Sequence, residues 1–315
     1  GMILLLQYTL IFASVLSLVA LGGCFSEHSG IINLGLEGIM VMGALGGAMA
    51  MNILSSCDNA FIMVVTVCLF AVAFGVLYSL LLGVASIHCN ADQTLVGTAM
   101  NMLATALAAI VARGYNSSKN SQDVSTILAY VNQKKAFIVK LGSFEFSWFM
   151  LIAAVALIIG FVLLYKTRFG LRLRACGENP QAADSVGINV YKMRWWGVII
   201  SGILGGLGGI TYITAGVSEW KFEVGVAGFG FLALAVMIFG QWKPHKIALT
   251  ALLFGFFRAL SNVYTGIGFF AALHLPGTVY NMMPYIISLV VLALTPQNSA
   301  APKAEGIPYE KGHRG

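Results

Sequence analysis

Two ionisable side chains lie inside runs that are otherwise apolar. Glu37 sits within Ser29-Gly30-Ile31-Ile32-Asn33-Leu34-Gly35-Leu36-Glu37-Gly38, and Arg258 is almost central in 247–271. An ionised group deep in an apolar layer is costly unless it is paired or hydrated. Glu37 therefore has two readings: it lines a water-filled pathway, or it caps a broken helix and satisfies backbone donors. Arg258 should face the protein interior and find a partner, for which Glu37 is a candidate counter-ion. Asn33, Asn52, Asn101 and Asn262 raise the same question. They could hold a polar solute, although buried amides in helical bundles more often tie helices together.

A second group of residues gathers in one polar stretch. Residues 166–194 hold six of the chain's 18 Lys and Arg (Lys166, Arg168, Arg172, Arg174, Lys192, Arg194) against Glu178 and Asp184. Within it, Asn179-Pro180 is a helix start, because Asn is a favoured N-cap and Pro suits the first helical position. About two turns should follow and end at Gly187. Ala182 and Ala183 would leave a slim face able to enter a partner's groove. Such a hairpin, with a rigid helical centre at one face of a membrane, is what a membrane domain needs if a soluble engine is to push on it. A plain basic loop that anchors orientation is the alternative.

Other chemistry finds no support. His28, His88, His245 and His274 show no H-x-x-x-H spacing, so a metal site is not expected. Cys24, Cys57, Cys68, Cys89 and Cys176 lack metal-like spacing and read as small core residues. A nucleophile elbow, a dinucleotide glycine fingerprint and a G-x-x-x-x-G-K-[ST] phosphate loop are all missing from the sequence. The chain is therefore not expected to be an enzyme, and any ATP hydrolysis coupled to it belongs to another polypeptide.

The elements that must position these residues are membrane helices. With 58% hydrophobic and 10% charged residues, the composition lies outside that of soluble domains. Runs near the length that crosses a bilayer recur at 3–23, 31–54, 60–87, 94–112, 148–165, 195–216, 226–240, 245–271 and 278–295. The expected fold is an all-α, polytopic transmembrane bundle of about nine spans, between eight and ten. Residues 1–295 form the transmembrane domain and 296–315 a tail. Gly1 ahead of Met2 reads as a cloning remnant, and the first span as a retained helix.

Basic residues set the orientation. The 166–194 loop should be cytoplasmic, which puts Lys243, Lys246 and the tail on the same side and the N-terminus outside. The excursion at about 114–147 then lies outside, although residues 113–147 carry five basic residues, and its apolar stretch Ala136–Leu141 is expected to form a short interfacial helix. The net charge of +6 reflects this orientation, since nothing provides a soluble basic face for nucleic acid. Glycines cluster at Gly43, Gly46 and Gly47 and again at Gly202, Gly205, Gly206, Gly208 and Gly209. Close helix packing accounts for them, with helix breaking beside a permeation path as the second reading. The segments 37–51 and 201–214 are faintly alike and hint at an internal duplication.

The stretch Phe169-Gly170-Leu171-Arg172-Leu173-Arg174-Ala175-Cys176-Gly177-Glu178-Asn179-Pro180-Gln181-Ala182-Ala183-Asp184-Ser185-Val186-Gly187-Ile188 resembles the coupling segment of bacterial ABC importer permeases of the branched-chain amino acid, sugar and nucleoside class. Ser201–Gly209, Gly228–Val236 and Gly306-Ile307-Pro308-Tyr309 are similar to the same family, so the resemblance covers nearly the whole chain. Asn33-Leu34-Gly35-Leu36-Glu37-Gly38 looks more like the nucleoside-uptake branch than like ribose permeases, which carry Gly-Ile-Asp-Leu-Ser there.

The resemblance implies a type II ABC importer fold and a set of partners. These are an ABC ATPase with duplicated nucleotide-binding domains, a second and non-identical permease, a substrate-binding lipoprotein and the lipid bilayer. ATP and Mg would be bound by the ATPase and no cofactor by this chain. It further implies purine nucleosides as cargo, with riboflavin or a simple sugar as the alternative, in a bacterial inner membrane with the C-terminus cytoplasmic. Arg174, Gly177, Glu178, Asn179, Pro180, Ala182, Ala183 and Gly187 are the coupling residues it implies, and Asn33, Glu37, Asn101 and Arg258 are the candidates for the translocation path. A secondary transporter driven through Glu37 or Arg258, and a passive channel or membrane scaffold, are the rival classes.

Overall fold

In the computed structural model residues 1–130, 133–216, 225–294 and 301–312 are described. The architecture is helical, with one small hairpin. The long elements are α1 (Met2–His28), α2 (Leu36–Ile53), α3 (Ala60–Gly83, prolonged by a π turn Val84–His88) and α4 (Gln93–Lys119). The hairpin β1 (Ile138–Leu141) and β2 (Phe144–Ser147) leads into α5 (Trp148–Lys166), followed by α6 (Arg168–Glu178), α7 (Pro180–Ser185) and α8 (Val190–Thr211). A π turn at Tyr212–Gly216 closes α8, after which come α9 (Phe229–Phe239), α10 (Pro244–Val263), α11 (Gly268–Ala272) and α12 (Gly277–Leu294).

The starts of these helices follow local chemistry. Asn59, Asp92, Ser147, Thr167, Asn179 and Asn189 each precede a helix and accept a hydrogen bond from its first-turn N–H groups. Among the described residues, seven helices are long and apolar enough to cross a membrane by length and composition. Of the nine expected spans, 226–240 is the short one: α9 has 11 residues, about half a bilayer core. The 278–295 span corresponds to α12, 18 residues long.

Burial separates the spans into two groups. The most apolar windows of α1, α2 and α8 are 67, 78 and 72% buried, whereas those of α3, α4 and α5 are 22, 28 and 28% buried. The first three form the centre, and the others present apolar side chains outward, as lipid-facing helices do. The two glycine clusters meet in that centre. A Cβ on Gly43 would collide with the Gly206 backbone, and one on Gly209 with the Met40 backbone. Small residues thus let α2 and α8 approach closely, and α8 continues unbroken past all five of its clustered glycines.

The excursion between α4 and α5 differs from expectation. Ala136–Leu141 does not form an interfacial helix: a 3-10 turn, Gln133–Phe137, leads into an antiparallel hairpin pairing Ile138 with Ser147 and Lys140 with Glu145. Alternating β-branched and aromatic residues around Gly142, whose φ is 66°, favour a hairpin over a helix. The domain boundary expected at 295/296 lies outside the described residues.

Candidate functional site

The polar hairpin forms as its caps direct. Asn179 Oδ1 accepts from the Ala182 N–H at 3.0 Å, Pro180 opens α7, and Gly187 ends it at φ 92°. The run before Asn179 is helical too, which the sequence reading did not anticipate. α6 buries Gly170, Leu173, Cys176 and Gly177, a spacing of three and four that turns one stripe inward. The Cys176 thiol is pushed up to about 11 by burial, so it is an inert core group.

The expected slim face of α7 is divided. Ala182 is exposed, but Ala183 is 4% exposed and packs inward with Pro180 and Gly177. A two-turn helix resting on the bundle must turn one of two adjacent residues toward it. Glu178, Asn179, Gly187 and the apolar Val186 are exposed beside Ala182. Arg174 turns back toward the membrane end of α5: its Nε donates to the Leu164 carbonyl at 3.0 Å, and the guanidinium lies 5.0 Å from the Tyr165 ring centre. A groove of about 470 Å3 runs beside α7 between Arg172, Val186 and Lys192.

Deeper in the bundle, the segment between α1 and α2 is irregular, and the candidate amides hold it. Asn33 Nδ2 donates to Ser201 Oγ at 2.6 Å, and Asn33 Oδ1 accepts from Gly35 N–H at 3.1 Å. Asn101 accepts from Gly38 N–H at 2.9 Å and donates to the Leu34 carbonyl at 2.7 Å. Glu37 follows in the first turn of α2. Its Oε1 accepts from Gly228 N–H at 3.0 Å and its Oε2 from Gly230 N–H at 2.7 Å. The carboxylate thus caps the start of α9 from another helix, where the positive end of the helix dipole favours an anion. A Cβ at Gly230 would sit 2.5 Å from the Glu37 backbone, so glycine is required for this approach.

Glu37 and Arg258 do not pair. Among the described residues Arg258 forms no ion pair, and its guanidinium lies 5.4 Å from the Phe229 ring centre. Backbone donors of α9 already occupy both oxygens of Glu37, which explains why the expected counter-ion is taken. Arg258 instead borders a cavity of about 90 Å3, together with Gly228, Phe229, Asn281 and Tyr285.

Two features escaped the sequence reading. The turn after α9 is clamped onto the end of α1: Trp242 Nε1 donates to Glu27, His28 Nε2 donates to the Trp242 carbonyl at 2.8 Å, and Gln241 and Trp242 both have positive φ. Residues 301–312 are docked under the hairpin. Ala304 N–H donates to the Gly177 carbonyl at 2.8 Å and Gly306 N–H to the Gly30 carbonyl at 3.1 Å. Arg194, 1% exposed, donates to the Ile307 carbonyl at 3.0 Å, and Tyr309 packs on Tyr191 at 5.3 Å between ring centres. The motif Gly306-Ile307-Pro308-Tyr309 was the available signal.

A bundle of apolar helices with a broken central segment, a half-length helix and a capped polar hairpin at one face defines a polytopic membrane protein. A profile of the family described as "Branched-chain amino acid transport system / permease component" matches residues 5–294, and the chain belongs to this family. It is 40% identical over 310 residues to the guanosine ABC transporter permease protein NupQ of Bacillus subtilis, spanning 97% of this chain and 96% of that one. It is 38% identical over 306 residues to the nucleoside ABC transporter permease protein NupC of Lactococcus lactis subsp. cremoris, 96% and 95% of the two chains. NupB of the same organism, also named a nucleoside ABC transporter permease, is 31% identical over 105 residues, 33% of this chain and 29% of its own. The chain is thus a multi-pass membrane permease subunit of an ABC importer.

Proposed function

We propose that this permease passes purine nucleosides inward, as one half of a heteromeric pair driven by a separate ABC ATPase. The observation that carries the reading is end-to-end similarity to two permeases named for nucleosides and for guanosine. In this reading the face bearing α6, α7, Gln241–Lys246 and residues 301–312 is cytoplasmic, as the basic residues favour, and the membrane is the bacterial inner membrane. A substrate-binding lipoprotein delivers solute from outside. ATP and Mg are bound by the partner, which engages the exposed surface of Glu178, Asn179, Ala182, Val186 and Gly187. Its ATP-driven movement shifts α7, and Gly177, which abuts the end of α1, passes that shift toward the α1–α2 break.

The test is the reconstituted complex in nanodiscs, with ATPase activity measured against guanosine, inosine, adenosine, riboflavin and glucose. Nucleoside stimulation is the expected result, and stimulation by riboflavin or glucose alone would replace the cargo while keeping the mechanism. Ala182→Trp should lower nucleoside-stimulated ATPase by on the order of tenfold or more, equivalent to about 1.4 kcal/mol of lost coupling. Its thermal midpoint should stay unchanged, because Ala182 is exposed. Unchanged stimulation in that variant would remove α7 from the coupling route.

A further inference from the structure

The cavity bordered by α9, α10 and α12 holds an unusual pair of groups. Arg258 Nε and Asn281 Oδ1 are both buried, and among the described residues neither has a hydrogen-bond partner. One is a donor on a guanidinium and the other an acceptor on an amide. Buried polar atoms are nearly always satisfied, so two residues that line one cavity and each carry an orphan beneath its wall, one a donor and one an acceptor, point to a ligand that draws these side chains into hydrogen bonds. The volume of about 90 Å3 has room for several waters and for one edge of a planar ring.

The walls hold such an edge in a defined plane. The guanidinium lies over Phe229, which fixes its fork. Phe254 and Tyr285, with ring centres 5.7 Å apart, add aromatic surface. Part of the wall is the turn before α9, where Ala227 and Gly228 have φ of 54° and 77°, a conformation that alanine seldom adopts. Glu37 holds it by accepting from Gly228 and Gly230. Strained backbone kept in place by a half-buried carboxylate is the kind of feature that collects at ligand sites.

We propose that this cavity is a subsite for the base edge of a 6-oxopurine nucleoside, with Arg258 donating to the base and Asn281 accepting from it. The proposal rests on the nucleoside reading above and refines it. Arginine pairs with the adjacent O6 and N7 acceptors of a 6-oxopurine, while the neighbouring N1–H requires an acceptor, which the Asn281 carbonyl supplies. Adenine carries an amine in place of O6, so the guanidinium would face a donor and the match is lost.

Uptake of labelled guanosine, inosine and adenosine into proteoliposomes of the complete importer tests this, with the same binding protein throughout so that its own preference cancels between variants. Arg258→Gln should lower guanosine and inosine uptake roughly tenfold or more while adenosine uptake stays within about threefold. Asn281→Ala, which leaves the guanidinium in place, should shift the ratio in the same direction. Equal loss of all three nucleosides in both variants, or no loss, would overturn the subsite and make Arg258 and Asn281 structural. If the wild-type importer moves none of the three, the nucleoside reading itself fails and the subsite with it.

Discussion

A carboxylate within an apolar bundle needs donors, and Glu37 takes them from the backbone of a helix almost two hundred positions away. Glu37→Ala would strand the buried Gly230 N–H, a loss of about 1–3 kcal/mol for a buried donor left unmet, while the exposed Gly228 N–H can turn to water. Glu37→Gln keeps one acceptor oxygen and should fall between wild type and Ala. Thermal unfolding of the purified protein should therefore rank wild type above Gln above Ala. Equal midpoints would mean that the cap contributes nothing to stability. The cap of α7 was legible in the sequence because Asn179 and Ala182 are three residues apart and the side chain announces its role. The partner of Glu37 was not legible, because a backbone N–H has no side-chain signature and Gly228 lies 191 residues away. Glu37 and Arg258 were recognised as exceptional residues, while the choice between pathway and cap depended on which donors the fold brought near.

Among the elements, the α2–α8 contact is where small residues matter most. Gly43→Ala places a methyl group against the Gly206 backbone, which cannot rotate away as a side chain could. Overpacking of this kind costs about 1–3 kcal/mol. Gly114→Ala is the natural contrast, since Gly114 lies in α4 with nothing within 4 Å of the added Cβ. That change should be neutral or stabilising by up to about 1 kcal/mol, as glycine is the poorer helix former. Fluorescence-monitored thermal melts of the two variants should diverge in sign, and matching melts would refute the tight seam. Both glycine clusters were visible in the sequence, and the packing reading held. Their meeting face to face was not visible, because periodicity marks a stripe without naming the stripe opposite. The hairpin at Ile138–Ser147 was missed for a related reason: a short apolar run carries too few residues to separate strand from interfacial helix.

For the molecule as a whole, residues 301–312 tie together parts of the chain that are remote in sequence. They reach Gly30 after α1, Gly177 in α6 and Arg194 in α8, while Glu310 accepts from Asn90 before α4 at 3.3 Å. Burial raises the Glu305 carboxyl from 4.5 to about 7, and its Oε2 has no hydrogen-bond partner among the described residues. The sign follows from linkage: a raised carboxylate value means that the docked segment prefers the protonated form. Its docking is therefore strongest below about pH 4.5 and weakens as the pH rises through about 7. Hydrogen-exchange protection of the Ala304 and Gly306 amides should fall over that range and level off above it. Glu305→Gln should weaken the dependence, and a flat wild-type profile would show that Glu305 does not control docking.

The bond from Arg194 to Ile307 joins positions 113 residues apart. A ribosome working at about 5–20 residues per second needs roughly 6–23 s to cover that distance. Throughout that interval α8 is already made, yet its guanidinium has no carbonyl to donate to. This corner of the bundle is thus completed only after residue 307 emerges, so it is among the last contacts of the fold to form.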